Sequence, residues 1–143
     1  MSQKLLLVAD DQEDNRVILS AILTHRNFGV FLATNGAEAV EQARRHLPDL
    51  ILMDLQMPVM DGWAATHAIR TDPRTAHIAV IAVTAEDQTP ERLQQAGFCA
   101  YLRKPFLPRT AAQAVEICLA NAEPRPSWFA LPRVDLHAPA GER

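Results

Sequence analysis

The sequence predicts a doubly wound α/β fold built on a parallel sheet. Three observations predict it. Short apolar runs recur along the chain, segments with helical spacing separate them, and the apolar runs lack polar alternation. Strands covered by helices on both faces read as continuous apolar runs, which is the pattern of a parallel sheet.

Residues 5–9 form the first strand. Residues 13–26 follow at helical spacing, with Val17, Ile18, Ala21 and Ile22 expected on the inward face. Residues 30–33 are the second strand and residues 37–46 the second helix, with Ala39, Val40 and Ala43 inward. Residues 50–53 are the third strand, which runs into Asp54, and residues 63–70 the third helix. The run "IAVIAV" over residues 78–83 is the most strand-like of all. In Thr89-Pro90-Glu91 the threonine reads as a cap and the proline as a first-turn residue, and Gly97 closes this fourth helix. It is short, with Leu93 and Ala96 as its apolar anchors, so it should be a low-stability element. Residues 99–102 form the fifth strand and residues 108–121 an amphipathic fifth helix. No internal repeat is evident.

A length of 143 residues suits one domain, and a composition 48% hydrophobic and 22% charged permits a packed core. The net charge of −3, without a basic run, argues against direct nucleic-acid binding. Cys99 and Cys118 form no CxxC pair and lie near no histidine cluster, so they read as small buried hydrophobes in a reducing cytoplasm. The apolar core of "MSQKLLLVADD" is too short for a signal peptide, and no run is long enough for membrane insertion. Residues 123–143 carry Pro124, Pro126, Pro132 and Pro139 and have no period. They read as a disordered tail, or as a segment that docks Trp128, Phe129, Leu131, Val134 and Leu136 on this domain or a partner. His25, His46, His67, His77 and His137 show no metal spacing, and Trp63 reads as a packing residue.

Asp10 and Asp11 follow the first strand, and Asp54 follows the third. Open α/β sheets bind ligands outside the carboxyl ends of their strands, so the three acids meet if strands one and three are neighbours. Each alone has a bland reading, as a helix cap or a turn residue. Together they repel, and either one protonates or a cation binds. Oxygen ligands without histidine or cysteine favour a hard cation, and few carboxylates with waters suit Mg²⁺. Thr84 and Lys104 end two further strands on the same edge. An ammonium and a cation can neutralise a transferring phosphoryl group, a hydroxyl can donate to one of its oxygens, and a carboxylate can attack it to form an acyl phosphate.

Asp10-Asp11, Asp54, "MPVMDG" over residues 57–62, Thr84-Ala85 and "KPF" over residues 104–106 stand in a characteristic order and spacing. Over roughly residues 4–121 the chain resembles the receiver domain of two-component response regulators. The resemblance implies a receiver domain over residues 1–122, with a flavodoxin-like five-stranded sheet in the order 2-1-3-4-5. It implies that Asp54 is the phosphoacceptor. Asp11, Asp54 and the backbone carbonyl of Gln56 would ligate Mg²⁺, which Mn²⁺ could replace, with Asp10 acting through a water. Lys104 and Thr84 would bind the phosphoryl group, and the bond before Pro105 would be cis. Thr84 and Tyr101 would form the switch, and Gln56 and Glu86 would tune dephosphorylation. The implied partners are a sensor histidine kinase or histidine phosphotransfer protein and a downstream protein. The latter would bind the fourth helix, fifth strand and fifth helix.

Two other functions use a similar aspartate, and the residues beside it separate them. Haloacid-dehalogenase-like phosphatases also place an aspartate after a strand, but with a second acid two residues on, where this chain has Gln56. A pseudo-receiver would lack Asp54, Lys104 or one of the paired acids, and all are present. The expectation is a regulatory phosphoacceptor rather than an enzyme. After Asn121 only 22 residues remain, too few for a DNA-binding or enzymatic domain. A stand-alone receiver acting on other proteins is therefore expected, the alternative being a receiver excised from a hybrid histidine kinase.

Overall fold

A computed structural model describes residues 3–120. Five strands, β1 (Leu5–Ala9), β2 (Gly29–Ala33), β3 (Leu50–Asp54), β4 (Ala79–Thr84) and β5 (Ala100–Arg103), form one parallel sheet in the order β2-β1-β3-β4-β5. Five helices alternate with them: α1 (Glu13–His25), α2 (Gly36–His46), α3 (Gly62–Thr71), α4 (Pro90–Ala96) and α5 (Pro108–Ala120). This is the expected doubly wound class and strand order. Pairing extends β3 to Asp54 and β4 to Thr84, so both chemical residues belong to the ladder itself. Asp54 lies opposite Val83, and Thr84 opposite Arg103.

Burial explains the apolar runs. Every residue of β3 and β4 is buried, whereas edge strand β5 alternates between buried and half-buried positions. Along β1, successive side chains enter opposite cores. Leu6 and Val8 pack with α1 and α5 residues, including Leu19, Leu23, Ala111 and Val115. Leu7 and Ala9 pack with Ala39, Ala43, Ala65, Ile69 and Leu93 from α2, α3 and α4.

The inward face of α1 differs from expectation. Leu19 and Leu23 are buried, while Val17 is 58% and Ile18 50% exposed, and Ala21 is exposed too. Only Ile22 of the expected set packs against the core. The helix is apolar on two adjoining faces, so periodicity admits two phases. Its first turns settle the choice: the Arg16 guanidinium donates to the Asp10 carbonyl at 2.7 Å, and Asn15 Nδ2 approaches Asp10 Oδ1 at 3.4 Å. That turns residues 15 and 16 inward, and Leu19 and Leu23 follow on the same face at helical spacing.

The short helix α4 begins as expected. Thr89 Oγ1 accepts from the Arg92 N–H, Pro90 sits in the first turn, and Gly97 closes the helix at φ 97°. Leu93 is buried and Ala96 packs beside it. Its far end is clamped: Arg70 donates through Nε and Nη2 to the Gly97 carbonyl, at 3.0 and 2.6 Å, and through Nη1 to the carbonyls of Ala76 and Ile78. Trp63 packs edge-on against Phe98, and the Arg92 guanidinium lies 4.3 Å from the Trp63 ring centroid. Cys99 and Cys118 are buried, as expected. Among the described residues no helix is long and apolar enough to cross a membrane. The expectation for residues 123–143, and that for Asn121 as the last helical residue, lie outside the described residues.

Candidate functional site

Because all five strands are parallel, their carboxyl ends share one edge, and the predicted residues collect there. Asp10 follows β1 and is buried, its N–H donating to the Ala33 carbonyl at 3.1 Å. Its Oδ1 accepts from the Gln12 N–H at 2.9 Å, which aims the carboxylate along the sheet edge. Asp54, at the end of β3, is 4% exposed and accepts from the Gln56 N–H at 3.0 Å through Oδ1. Asp11 is exposed. Carboxylate oxygens of Asp10, Asp11 and Asp54 all lie within 4.8 Å of one another.

Lys104, next after β5, bridges the two buried acids. Its Nζ donates to Asp54 Oδ2 at 3.1 Å and lies 3.1 Å from Asp10 Oδ2. The second contact is ionic but lacks hydrogen-bond alignment, so Asp10 Oδ2 makes no hydrogen bond among the described residues. Burial pulls the Lys104 ammonium down, but the charges of Asp54 and Asp10 outweigh it and hold its pKa above the usual value. Burial pushes the Asp54 carboxyl up, and the charge of Asp10 adds to this. The Gln56 N–H and Lys104 oppose the rise without cancelling it.

The cluster fits a hard divalent cation. Its donors are oxygens only, and three carboxylates converge, two of them buried. Asp10, Asp11 and Asp54 could hold Mg²⁺ there.

The loop after Asp54 is shaped by close approaches. Gly62 N–H donates to the Leu55 carbonyl at 3.1 Å. A Cβ on Gly62 would stand 2.2 Å from the Asp54 carbonyl oxygen, so only glycine fits. Val59 takes a left-handed φ of 69°, Met60 N–H closes back on the Pro58 carbonyl at 2.7 Å, and Asp61 caps α3 by accepting from the Ala64 N–H. The "MPVMDG" motif thus returns the chain across the base of Asp54.

Thr84 is buried at the end of β4, and its Oγ1 accepts from the Glu86 N–H at 3.1 Å. Its carbonyl accepts from the Lys104 N–H at 2.8 Å, which ties the hydroxyl-bearing and ammonium-bearing ends together. The Lys104–Pro105 peptide bond is cis. Half-buried Tyr101 sits opposite Ala82 in the ladder, and its hydroxyl donates to the Glu86 carbonyl at 2.6 Å. The exposed side chains of Gln56 and Glu86 join across the site's mouth, Gln56 Nε2 donating to Glu86 Oε2 at 2.6 Å.

All the predicted site residues therefore lie along one edge, Tyr101 reaching it through the Glu86 carbonyl. Sequence reasoning missed Arg16 and Asn15, which hold Asp10, and the Gln56–Glu86 bond. The two apolar phases of α1 hid residues 15 and 16, which stand one turn before Leu19.

A family model described as the response regulator receiver domain matches residues 6–116. The polar-differentiation response regulator DivK of Brucella anthropi is 38% identical over 121 residues, covering 83% of this chain and 98% of DivK. Protein PilH of Pseudomonas aeruginosa is 34% identical, covering 81% of this chain and 98% of PilH. The response regulator PleD of Caulobacter vibrioides is 41% identical over 103 residues, which are 71% of this chain but only 23% of PleD. The chain thus spans about a quarter of that relative's length. Among solved structures, the receiver domain of the Pseudomonas aeruginosa sensor histidine kinase PA1611, with a magnesium ion coordinated in its active-site cleft, superposes with a TM-score of 0.76 at 31% identity. That match covers 83% of this chain and 99% of the other. The chemotaxis response regulator CheY4 of Vibrio cholerae superposes with a TM-score of 0.75 at 28% identity, over 81% of this chain and 98% of CheY4. With the strand order, the acid cluster and the lysine already in place, the match over residues 6–116 means that this chain belongs to the response regulator receiver family.

Proposed function

We propose that the chain is a phosphoacceptor switch charged by a phosphohistidine donor, either a sensor histidine kinase or a histidine phosphotransfer protein. The observation that carries this reading is Asp54, buried at a strand end with the Lys104 ammonium 3.1 Å away and two further acids beside it. An Asp54 carboxylate oxygen attacks phosphorus, the bond from phosphorus to the imidazole nitrogen breaks, and an acyl phosphate forms. Lys104 takes a phosphoryl oxygen and the Thr84 hydroxyl donates to another. Asp11, Asp54 and the Gln56 carbonyl would hold Mg²⁺ (or Mn²⁺), with Asp10 acting through a water, and the ion would supply charge neutralisation for the phosphoryl oxygens. Exposed Val17 and Ile18, on the helix that starts beside Asp11, offer the donor protein apolar contact.

The output follows from Thr84. A hydroxyl drawn to phosphate releases the Glu86 N–H it now accepts from, and the Glu86 carbonyl is the acceptor of Tyr101. The phosphoryl state thereby reaches β5 and the neighbouring α4 and α5, the surface that would meet a downstream protein. The shift in population is set by how differently the phosphate interacts with the two states. The Gln56–Glu86 bond spans the approach of water to the acyl phosphate, so these two residues set its lifetime.

Incubation with acetyl phosphate and Mg²⁺, followed by intact mass, tests the site. One base-labile phosphoryl group should appear and should be absent in Asp54→Asn. Full labelling of that variant would remove the assignment.

A further inference from the structure

We propose that Cys99 and Cys118 are an internal dithiol, which an oxidant of the peroxide class closes to a disulfide tying α5 to the start of β5. The two sulfurs lie 2.9 Å apart, and both side chains are buried. They are the chain's two cysteines and stand 19 positions apart, so their meeting is tertiary. Cys99 occupies the short connection between Gly97, which ends α4, and Ala100, which opens β5. The Cys99 N–H donates to the Val80 carbonyl at 2.8 Å, which fixes its backbone to the sheet. Cys118 comes from the last described turn of α5, and both side chains enter the core with Leu19, Leu23 and Val115.

Buried thiols are ordinarily inert. Two features set this pair apart. A resolving thiol already touches the first, so a sulfenic acid formed at either is trapped as disulfide before further oxidation. A disulfide sulfur separation of about 2.0 Å asks for an approach of about 0.9 Å, within reach of side-chain adjustment. Access is through Cys99, 6% exposed beside the edge strand, and through local opening at the end of α5.

The steps balance. The Cys99 thiolate attacks one peroxide oxygen and the O–O bond breaks. The Cys99 sulfenic acid forms, and hydroxide leaves as water with the thiol proton. The Cys118 sulfur then attacks the sulfenic sulfur, the S–O bond breaks, and hydroxide leaves as water with the Cys118 proton. Two thiols lose two electrons, and hydrogen peroxide is reduced to two waters. The bond would tie α5 to the residue that leads into β5, two of the three elements assigned above to the output surface. That consequence rests on the proposed function, whereas the sulfur chemistry does not.

The full chain, treated natively with hydrogen peroxide, is denatured in iodoacetamide and weighed. The expected product is a monomer lighter by two hydrogens, closed to alkylation, and reopened by dithiothreitol. Proteolysis should yield one cross-linked pair of peptides carrying Cys99 and Cys118. Closing a loop of about 20 residues should raise Tm by roughly 5–10 °C. Cys99→Ser and Cys118→Ser should give no internal cross-link and no such rise. The proposal is overturned if the native chain keeps both thiols alkylatable at a dose that cross-links the unfolded chain. A disulfide between two chains, or an internal one that leaves Tm unchanged or lowered, overturns it as well.

Discussion

Replacing Gly62 with alanine sets two opposed effects against each other at the base of Asp54. Gly62 opens α3, and in a helix alanine is better than glycine by at most about 1 kcal/mol. Propensity alone therefore predicts a more stable protein. The added Cβ, however, would stand 2.2 Å from the Asp54 carbonyl oxygen and 2.9 Å from Leu55 Cα, where ordinary contact begins near 3.4 Å. Both obstacles are backbone, so no rotamer change relieves them. The start of α3 and the end of β3 must separate by about 1 Å, an overpacking strain of roughly 3 kcal/mol. The net loss is about 2 kcal/mol, which lowers Tm by roughly 8 °C. The same displacement moves the Asp54 backbone, and misplacing a reacting group by about 1 Å costs on the order of 100-fold in rate. Thermal unfolding and the rate of acetyl phosphate labelling read the two effects separately. A Gly62→Ala protein with native or raised Tm and native labelling rate would refute the steric reasoning.

Two further outcomes are expected. Asp54 has a folded-state pKa raised above 3.8, burial being the largest cause. Stability from its bound proton is present in full below the unfolded pKa and is lost as pH rises through the raised folded value. In EDTA, the urea midpoint of Asp54→Asn should therefore gain on that of the native chain as pH rises from about 4, and parallel midpoints would contradict the buried-charge account. Arg70→Ala deprives the carbonyls of Ala76, Ile78 and Gly97 of a shared guanidinium and should cost about 3 kcal/mol in urea unfolding. Arg70→Lys should recover little of it, since an ammonium lacks the planar fork, and a cost under about 0.5 kcal/mol would remove the clamp.

The fold was legible because β3 and β4 carry unbroken apolar runs and Thr89-Pro90 and Gly97 bracket α4 with unambiguous chemistry. The acids, Thr84 and Lys104 were legible because a parallel sheet sends every strand end to one edge. The phase of α1 was not. Val17, Ile18, Leu19, Ile22 and Leu23 offer apolar side chains to two faces, and the choice rests on polar contacts of Asn15 and Arg16 with Asp10. Contacts between distant loops were equally hidden. Gln56 meets Glu86 across 30 positions, and the need for glycine at position 62 depends on the nearness of Asp54, which spacing alone does not report.

The Arg70 clamp makes the two ends of α4 mechanically unequal. At Gly97 the chain is moored by a guanidinium that also holds two other carbonyls. Toward Pro90 the stays are slighter: the Thr89 cap is internal to the helix, and Arg92 over Trp63 is a contact worth about 1 kcal/mol. Displacement of α4 is then a swing with its fulcrum at Gly97 rather than a slide. Seven residues span about 10 Å, so a tilt of about 10° carries the Pro90 end about 2 Å while Gly97 stays in place. The longest arc is swept at the end joined to Thr84 and Glu86, where small movements at the acid cluster gain the greatest leverage.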